Sequence, residues 1–173
     1  MIKIVLLGAG NVAVHLAKAF ERSNKVDFVQ RYSRSDDNDS YFNPKIPKIS
    51  HVNNLAVADV YILAINDDSI SKFSHSLPIS QGLLVHTSGS VSLEALSNRF
   101  RRGVFYPLQS FSKNIELDFK TIPVALETEF EKDKAVLNNL ASSISDYNYI
   151  IDSAQREKLH IAAVFANNFS NYM

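Results

Sequence analysis

Three small residues near the start of the chain have the spacing at which a polypeptide backbone binds phosphate. Gly8, Gly10 and Ala13 form the pattern G-x-G-x-x-A directly after the apolar run 2–7, which is rich in β-branched residues. Gly8 permits a tight turn, Gly10 lets the backbone approach a pyrophosphate, and Ala13 lets the following helix pack closely on the strand. The N-terminus of that helix presents free N–H groups to the phosphates. The pattern predicts a dinucleotide site at Gly8, Ala9, Gly10, Asn11 and Val12, or else a tight turn in an α/β protein that binds no nucleotide.

An arginine between two serines follows the second predicted strand, residues 26–32. This position, about 20 residues beyond the glycines, meets the adenosine ribose, and NAD enzymes usually have Asp or Glu there. Ser33-Arg34-Ser35 instead offers a guanidinium and two hydroxyls, which suit a 2′-phosphate. Asp36 and Asp37 follow at once and weaken this interpretation, and a solvated polar loop is the alternative. We favour NADP over NAD as the cofactor.

Strand and helix patterns alternate along the rest of the chain, and these elements must position the candidate residues. The apolar periodicity predicts strands at 2–7, 26–32, 59–65, 83–86, 103–106, 121–126 and 147–151, with a short one near 48–50. It predicts helices from residue 12, at about 70–75, at 93–100 with Ser92 as its cap, at 129–145, and from 152 or 153. The alternation indicates an α/β fold with a doubly wound, mostly parallel sheet. Ligands of such sheets bind at the carboxyl ends of the strands.

Composition limits the function classes. The 173 residues balance 18 basic against 18 acidic side chains, so no global field attracts nucleic acid or a membrane surface. Cysteine is absent, which excludes thiolate metal sites and cysteine nucleophiles and fits a reducing compartment. No apolar stretch reaches the length of a membrane span. We expect a cytoplasmic protein with neither a nucleic acid nor a membrane partner.

Several later segments, taken together with the glycine pattern, resemble one group of Rossmann proteins. The pattern at 4–13 and the segments Ser33-Arg34-Ser35 and LAINDDSI (63–70) are similar to the 6-phosphogluconate dehydrogenase-like superfamily. The segments HTSGS (86–90), YPLQSF (106–111) and AVFANNF (163–169) narrow the resemblance. They resemble proteins assigned as NADP oxidoreductases that join a Rossmann domain to a poorly characterised C-terminal helical domain.

This resemblance implies a Rossmann domain over residues 1–151 and the first helix of a truncated helical domain over 152–173. It implies further cofactor contacts from Ala64, Ile65 and Asn66, a substrate cleft completed by the helical domain, and a homodimer formed through that domain. Hydroxyacid dehydrogenases of this kind carry a lysine one helical turn before an asparagine on the helix. If Asn168 is that asparagine, Val164 occupies the lysine position and cannot move a proton. Hydroxyacid oxidation is therefore in doubt.

Four side chains are candidates for the chemistry of the substrate. Hydride transfer often needs a proton donor near the reacting oxygen or nitrogen, and His160, one turn before Val164, is the natural general acid in this chain. Ser88 could hold a substrate carboxylate or the nicotinamide amide, and Asn168 and Gln109 could orient the substrate. Alternatively, His160 is only packed and hydrogen-bonded on its helix, and Ser88 only caps a turn. We expect an NADP-dependent oxidoreductase that transfers hydride to or from a small carbonyl, imine or hydroxyacid, and the alternative is a binding module or redox sensor without turnover.

Other catalytic classes have little support in the sequence. The remaining histidines show no His-x-x-x-His spacing and no clustered carboxylates, so we expect no metal site. The serine-hydrolase pattern G-x-S-x-G and the phosphate-binding P-loop pattern are both absent.

Overall fold

The structure, a computed structural model, describes residues 1–36, 38–78 and 81–170, with no side-chain description for residues 167–170. Its centre is an eight-stranded sheet in the order β3-β2-β1-β4-β5-β6-β7-β8. The strands are β1 (Ile2–Leu7), β2 (Val26–Tyr32), β3 (Lys48–Ile49), β4 (Val60–Leu63), β5 (Leu83–His86), β6 (Arg101–Pro107), β7 (Val124–Thr128) and β8 (Asn148–Ile150). Neighbouring strands run parallel except at β6 and β7, which pair antiparallel. The predicted α/β fold with a mostly parallel, doubly wound sheet is confirmed.

An apolar cluster covers each face of the sheet. Successive side chains of a strand point to opposite faces, so one strand contributes to both clusters. In β1, Ile4 and Leu6 belong to one apolar cluster, whereas Val5 and Leu7 belong to a second cluster. All four are fully buried, as expected for a central strand of a parallel sheet. The first cluster holds the inward residues of the helices α1 (Asn11–Glu21) and α3 (Glu131–Ser142), and the second holds Ile70 of α2 (Asp67–Ser76).

The last helix, α4 (Ser153–Ser170), begins at a reciprocal cap. The backbone N–H of Gln155 donates to the Asp152 carboxylate, and the Asp152 N–H donates to the Gln155 side-chain oxygen. This capping box satisfies two N–H groups at the helix start and explains why the helix begins at residue 153. Within the described part of the chain, no helix has the length and apolarity needed to cross a membrane.

Two helix predictions were wrong in their extent. The segment 93–100 forms only a 3-10 turn at Leu93–Ala95, with Ser92 as its cap as predicted. The backbone beyond it is extended at Leu96, and the Ser97 N–H donates to Ser74 Oγ of α2 (3.0 Å), so a tertiary hydrogen bond replaces a helical one. Helix α2 begins at Asp67, three residues before the predicted start, and its N-cap Asn66 makes no side-chain capping bond.

The predicted boundaries near the end of the sheet were shifted. The sixth long strand was predicted at 121–126, but β7 spans Val124–Thr128, because a 3-10 turn at Phe119–Thr121 precedes it. The Asp118 side chain accepts from the Lys120 N–H and so stabilises that turn. Helix α3 is shorter than the predicted 129–145, although Leu137, Leu140 and Ile144 are buried as predicted, with Val136 partly buried.

Candidate functional site

A cleft of about 660 Å³ lies at the carboxyl ends of β1, β2 and β4. Every predicted cofactor-binding residue except Asn11 lines it, so the fold brings together three separate segments of the sequence. The lining residues are Gly8, Ala9, Gly10, Val12, Ser33, Arg34, Ser35, Asn38, Ala64, Ile65, Asn66, Asp68, Ser69, Lys72, Phe73, Ser76 and Thr87. This is the edge of a parallel sheet at which such folds bind ligands.

The two glycines meet different steric demands at the floor of the cleft. Gly8 has φ +134°, and a Cβ atom there would lie 2.1 Å from the carbonyl oxygen of Ala64. Only glycine fits that position, since both the conformation and the contact exclude a side chain. A Cβ atom on Gly10 would meet nothing within 4 Å. Gly10 is also the N-cap of α1, so the open space at Gly10 adjoins the helix end whose first N–H groups have no partner within the helix.

Asn11 does not line the cleft. Its side-chain amide donates to the carbonyl oxygen of Phe111 (2.9 Å), which fastens the glycine turn to the loop after β6. In the next turn of α1, His15 Nε2 lies 2.9 Å from the carbonyl oxygen of Ser112. These contacts hold residues 111–112 against the first helix. A cofactor contact from Asn11 stays a prediction.

The wall beyond β2 is basic. Arg34 and Ser35 are exposed there, and the Ser33 hydroxyl donates to the carbonyl oxygen of Ser35 (2.8 Å), which closes the turn around Arg34. Helix α2 supplies Lys72 and Phe73 to the lining of the same cleft, and the Phe73 ring lies 5.3 Å from that of Tyr32 at the end of β2. The described residues that line the cleft therefore include two cations, Arg34 and Lys72, and one carboxylate, Asp68.

A cluster of ion pairs lies behind this wall. Lys48 of β3 pairs with Asp36 and with Asp39, whose second oxygen accepts from Arg31 NH1 (2.8 Å). The hydrogen bond from Lys48, and then that from Arg31, lowers the pKa of the Asp39 carboxyl. The bond to Asp36 raises the pKa of Lys48, so the Lys48 ammonium and the Asp39 carboxylate are both charged at neutral pH. The Arg31 guanidinium also lies 4.6 Å from the centre of the Phe42 ring.

Ser88 lies in the turn after β5, where its hydroxyl has several partners. It donates to the Asp67 carboxylate (2.8 Å) and accepts from the backbone N–H groups of Ser90 (3.2 Å) and Val91 (3.1 Å). The same Asp67 oxygen accepts from the Ser90 hydroxyl (2.9 Å). These bonds hold the turn after β5 against Asp67, the first residue of α2. A contact from Ser88 to substrate stays a prediction.

His160 of α4 meets a tyrosine that the sequence analysis did not identify. The Tyr106 hydroxyl lies 3.0 Å from His160 Nδ1, and the two rings stand edge to face at 5.8 Å. Burial raises the pKa of Tyr106, so its hydroxyl keeps its proton at neutral pH. Gly89 makes this contact possible, because a Cβ there would lie 2.5 Å from both His160 Nδ1 and Tyr106 Cζ.

A buried ion pair holds α4 in this position. Arg156, fully buried and one helical turn before His160, donates from Nε to Glu127 of β7 (2.8 Å) and from NH1 to the carbonyl oxygen of Gly89 (2.7 Å). The Ser153 hydroxyl donates to the other Glu127 oxygen (2.5 Å). Sequence reasoning missed both charged residues. The available signal was their placement, a carboxylate inside an apolar strand and an arginine four residues before His160.

The two remaining catalytic candidates are Gln109 and Asn168. Gln109 is exposed, and its side-chain oxygen accepts from the Ser110 N–H (2.9 Å). Asn168 belongs to α4, but its side chain lies outside the described residues. Roles for Gln109 and Asn168 stay predictions. Among the described residues, no three His, Asp or Glu side chains are grouped closely enough to hold a metal ion.

Comparison with protein families divides the chain into two matched regions. A family described as a Rossmann-like domain matches residues 1–109, and one described as a domain of unknown function (DUF2520) matches residues 122–173. A search of curated proteins found no significant match.

Solved structures share the fold over nearly the whole chain. A Bacteroides fragilis protein named as a "putative NADP oxidoreductase" is 36% identical with a TM-score of 0.84, over 99% of this chain and 69% of that one. A Cupriavidus necator semialdehyde dehydrogenase NAD-binding protein, in complex with calcium and NAD, is 18% identical (TM-score 0.71; 99% and 73% covered). A Plasmodium falciparum pyrroline carboxylate reductase with NADP bound is 16% identical (TM-score 0.69; 98% and 67% covered). At these lower identities, the last two show a common fold alone.

Proposed function

This chain belongs to the Rossmann-like proteins that carry a DUF2520 domain, and we propose that it is an NADP-dependent oxidoreductase. Its substrate class is a small carbonyl, imine or hydroxyacid. The 36% identical Bacteroides relative, whose printed name is "putative NADP oxidoreductase", supports the oxidoreductase assignment. The proposal includes a helical domain that begins at residue 152, a homodimer formed through it, and a cytoplasmic location.

One observation carries the proposal, namely the cleft that begins at Gly8 and Gly10. A dinucleotide pyrophosphate needs backbone that it can approach closely and a helix N-terminus directed at it. Gly8 holds the turn in a conformation that only glycine adopts, and Gly10 leaves open space at the start of α1. Residues 64–66 and Thr87 extend the cleft toward β5, which leaves room for the nicotinamide half.

The choice of NADP rests on the charges at the ribose end. Arg34 and Lys72 line the cleft there from two different elements, and Ser33 and Ser35 add polar groups. A guanidinium presents fixed donors that match phosphate oxygens, and the ammonium of Lys72 adds a second positive charge. An NAD site would instead have an acidic acceptor for the ribose 2′-hydroxyl directly after β2, and Ser33 occupies that position.

Thermal unfolding with each reduced cofactor tests this choice. At a concentration one hundred times its dissociation constant, NADPH adds about 2.7 kcal/mol of stability. This corresponds to a melting-temperature rise of about 5–10 °C for a chain of this size. We expect NADH at the same concentration to raise it less, and Arg34→Ala to remove the difference.

The exposed Lys25 offers a matched control, because Lys25→Ala removes a positive charge outside the cleft and should keep the preference. Equal melting-temperature shifts from NADPH and NADH in the unmodified protein would refute the 2′-phosphate interpretation.

The proton chemistry is assigned to His160 and Tyr106. Bound NADPH supplies the hydride. In its imidazolium form His160 donates its Nδ1–H to the Tyr106 oxygen and keeps the Nε2 proton for the reacting oxygen or nitrogen, and transfer of that proton leaves a neutral imidazole. Gly89 joins this pair to the turn after β5, two residues beyond the cleft residue Thr87.

A binding module or redox sensor without turnover is the second candidate. Val164, at the position where related hydroxyacid dehydrogenases have lysine, favours it because an aliphatic side chain transfers no proton. The two candidates differ in turnover alone. Oxidation of NADPH with any member of a panel of small carbonyls and imines supports the enzyme. Tight NADPH binding with no oxidation across the panel supports the sensor.

A further inference from the structure

We propose that Lys48 determines the cofactor specificity of this site by holding the Asp36 carboxylate, so that the loop 33–36 accepts a 2′-phosphate. This inference rests on the proposed NADP site and extends it to a residue that lies outside the cleft lining. It also gives a role to Asp36, the first of the two acidic residues that follow the arginine segment and weaken the NADP interpretation; Asp37 lies outside the described residues.

The contacts of Lys48 converge on the loop. Its ammonium donates to the carbonyl oxygen of Ser35 (3.1 Å), pairs with the Asp36 carboxylate, and donates to Asp39 Oδ2 (2.9 Å). The Lys48 side chain is only 18% exposed, although Asp36 is 89% exposed. The lysine therefore approaches the loop from the protein side and leaves the cleft side to Arg34.

The short strand β3 explains how Lys48 reaches this point. β3 consists of two residues and pairs with the end of β2, with Lys48 opposite Arg31 and Ile49 opposite Tyr32. The Ser33 N–H then donates to the carbonyl oxygen of Ile49 (3.1 Å). This pairing fixes the lysine backbone directly beside the strand end from which the loop departs.

An unpaired Asp36 would change what the loop recognises. A carboxylate near the ribose accepts a hydrogen bond from the 2′-hydroxyl, which favours NAD, and it repels a 2′-phosphate. Asp36 lies two residues from Arg34, and charges this close along the chain are only partly screened at physiological salt, where the Debye length is about 8 Å. In the ion pair with Lys48, the Asp36 charge is offset, and among the described residues of the loop 33–36 Arg34 is the charged side chain without an ion-pair partner.

The same cluster makes a clean experiment possible. Asp39 has a second partner in Arg31, so of the two carboxylates that Lys48 binds, only Asp36 loses its ion pair when Lys48 is removed. The Ser33 hydroxyl still donates to the Ser35 carbonyl oxygen and keeps the turn closed. Removal of Lys48 should therefore alter the charge at the loop more than its shape.

The test measures dissociation constants for NADPH and NADH, from the fluorescence of the reduced nicotinamide, in Lys48→Met, Asp36→Asn and the double variant. We expect Lys48→Met to weaken NADPH binding about fivefold, the effect of one unscreened surface charge, and to change NADH binding by less than about twofold. Asp36→Asn in the Lys48→Met background should restore most of the NADPH affinity, because the freed carboxylate causes the loss. Lys45→Met is the control, since it removes an exposed charge from the same connection.

The other possible results distinguish a wrong role for Lys48 from a wrong cofactor assignment. Equal weakening of NADPH and NADH by Lys48→Met, with no rescue by Asp36→Asn, would show that Lys48 only supports the loop and would overturn this inference. Unchanged affinities in all variants would overturn it as well. Binding of NADH in preference to NADPH by the unmodified protein would instead refute the proposed cofactor, and this inference with it.

Discussion

His86 shows how a single residue of the site couples stability to pH. It is fully buried at the end of β5, and its Nδ1 accepts from the Ser88 N–H (3.2 Å). Burial, and then the charge of Arg156, lowers the pKa of His86 to about 4. The imidazole is therefore neutral in the folded protein, and its Nδ1 is an acceptor that helps to shape the turn after β5.

We expect this histidine to make the protein sensitive to mild acid. Its unfolded pKa is 6.5, so below pH 6.5 the unfolded chain binds a proton that the folded chain excludes until about pH 4. The stability contributed by neutral His86 is complete above pH 6.5 and is lost as the pH falls toward 4. The loss at pH 5 is about 2 kcal/mol. Urea unfolding at pH 7.5 and pH 5 measures it.

His86→Asn keeps an acceptor for the Ser88 N–H and removes the titration, so the pH-dependent loss should shrink by that amount. His51 is exposed, and His51→Asn should leave the loss unchanged. A loss of the same size in His86→Asn and in the unmodified protein would show that other groups cause the acid sensitivity.

At the scale of elements, the attachment of α4 depends on a buried ion pair. Glu127 is held by Arg156 and Ser153, and Arg156 is fully buried. Removal of one partner of such a pair leaves an uncompensated buried charge, so Glu127→Gln should cost about 3–5 kcal/mol. The Arg22–Glu116 pair on the surface has side chains that are 68% and 81% exposed, and Glu116→Gln should cost less than about 1 kcal/mol.

Urea denaturation measures both costs, and hydrogen exchange locates the change. We expect the amides of α4 to lose protection in Glu127→Gln before those of β1 and β4, because the helix loses its anchor while the central sheet keeps its own. Similar costs for Glu127→Gln and Glu116→Gln would contradict the role given to the buried pair.

The sequence predicted the elements whose signals are local. β2 was predicted at its observed bounds because four of its seven residues are apolar and β-branched or aromatic, and polar residues follow at once. The segment 93–100 has equally suitable residues for a helix, but the bond from the Ser97 N–H to Ser74 Oγ joins positions 23 residues apart. No local pattern records such a bond, and it replaced the predicted helix with a turn.

The residues of the candidate site also divide into those with a local sequence signal and those without one. The glycine turn and Ser33-Arg34-Ser35 were recognised because their function depends on spacing along one strand–turn unit. The partnership of Tyr106 with His160 joins residues 54 apart, and that of Glu127 with Arg156 joins residues 29 apart. These pairs depend on the order of strands in the sheet, which a single sequence does not reveal.

At the scale of the whole molecule, the apolar side chains of α4 are largely exposed. Ile161, Val164 and Phe165 are 55%, 43% and 62% exposed, although β1, β4 and β5 are buried almost completely. Exposed apolar residues grouped on one element favour contact with another surface. Together with the buried anchor at Arg156, this arrangement gives a helix that is firmly attached at its start and apolar along its free side.

We expect this apolar side of α4 to drive the proposed dimerisation. Sedimentation equilibrium over a range of concentrations should show reversible association of the unmodified chain. Phe165→Glu should abolish the association, because a charge at the centre of an apolar contact is buried without a partner. Val57 is 86% exposed and lies outside α4, so Val57→Glu is the matched control and should leave the association unchanged. A chain that stays monomeric at every concentration, or one that Val57→Glu disrupts equally, would refute dimerisation through α4.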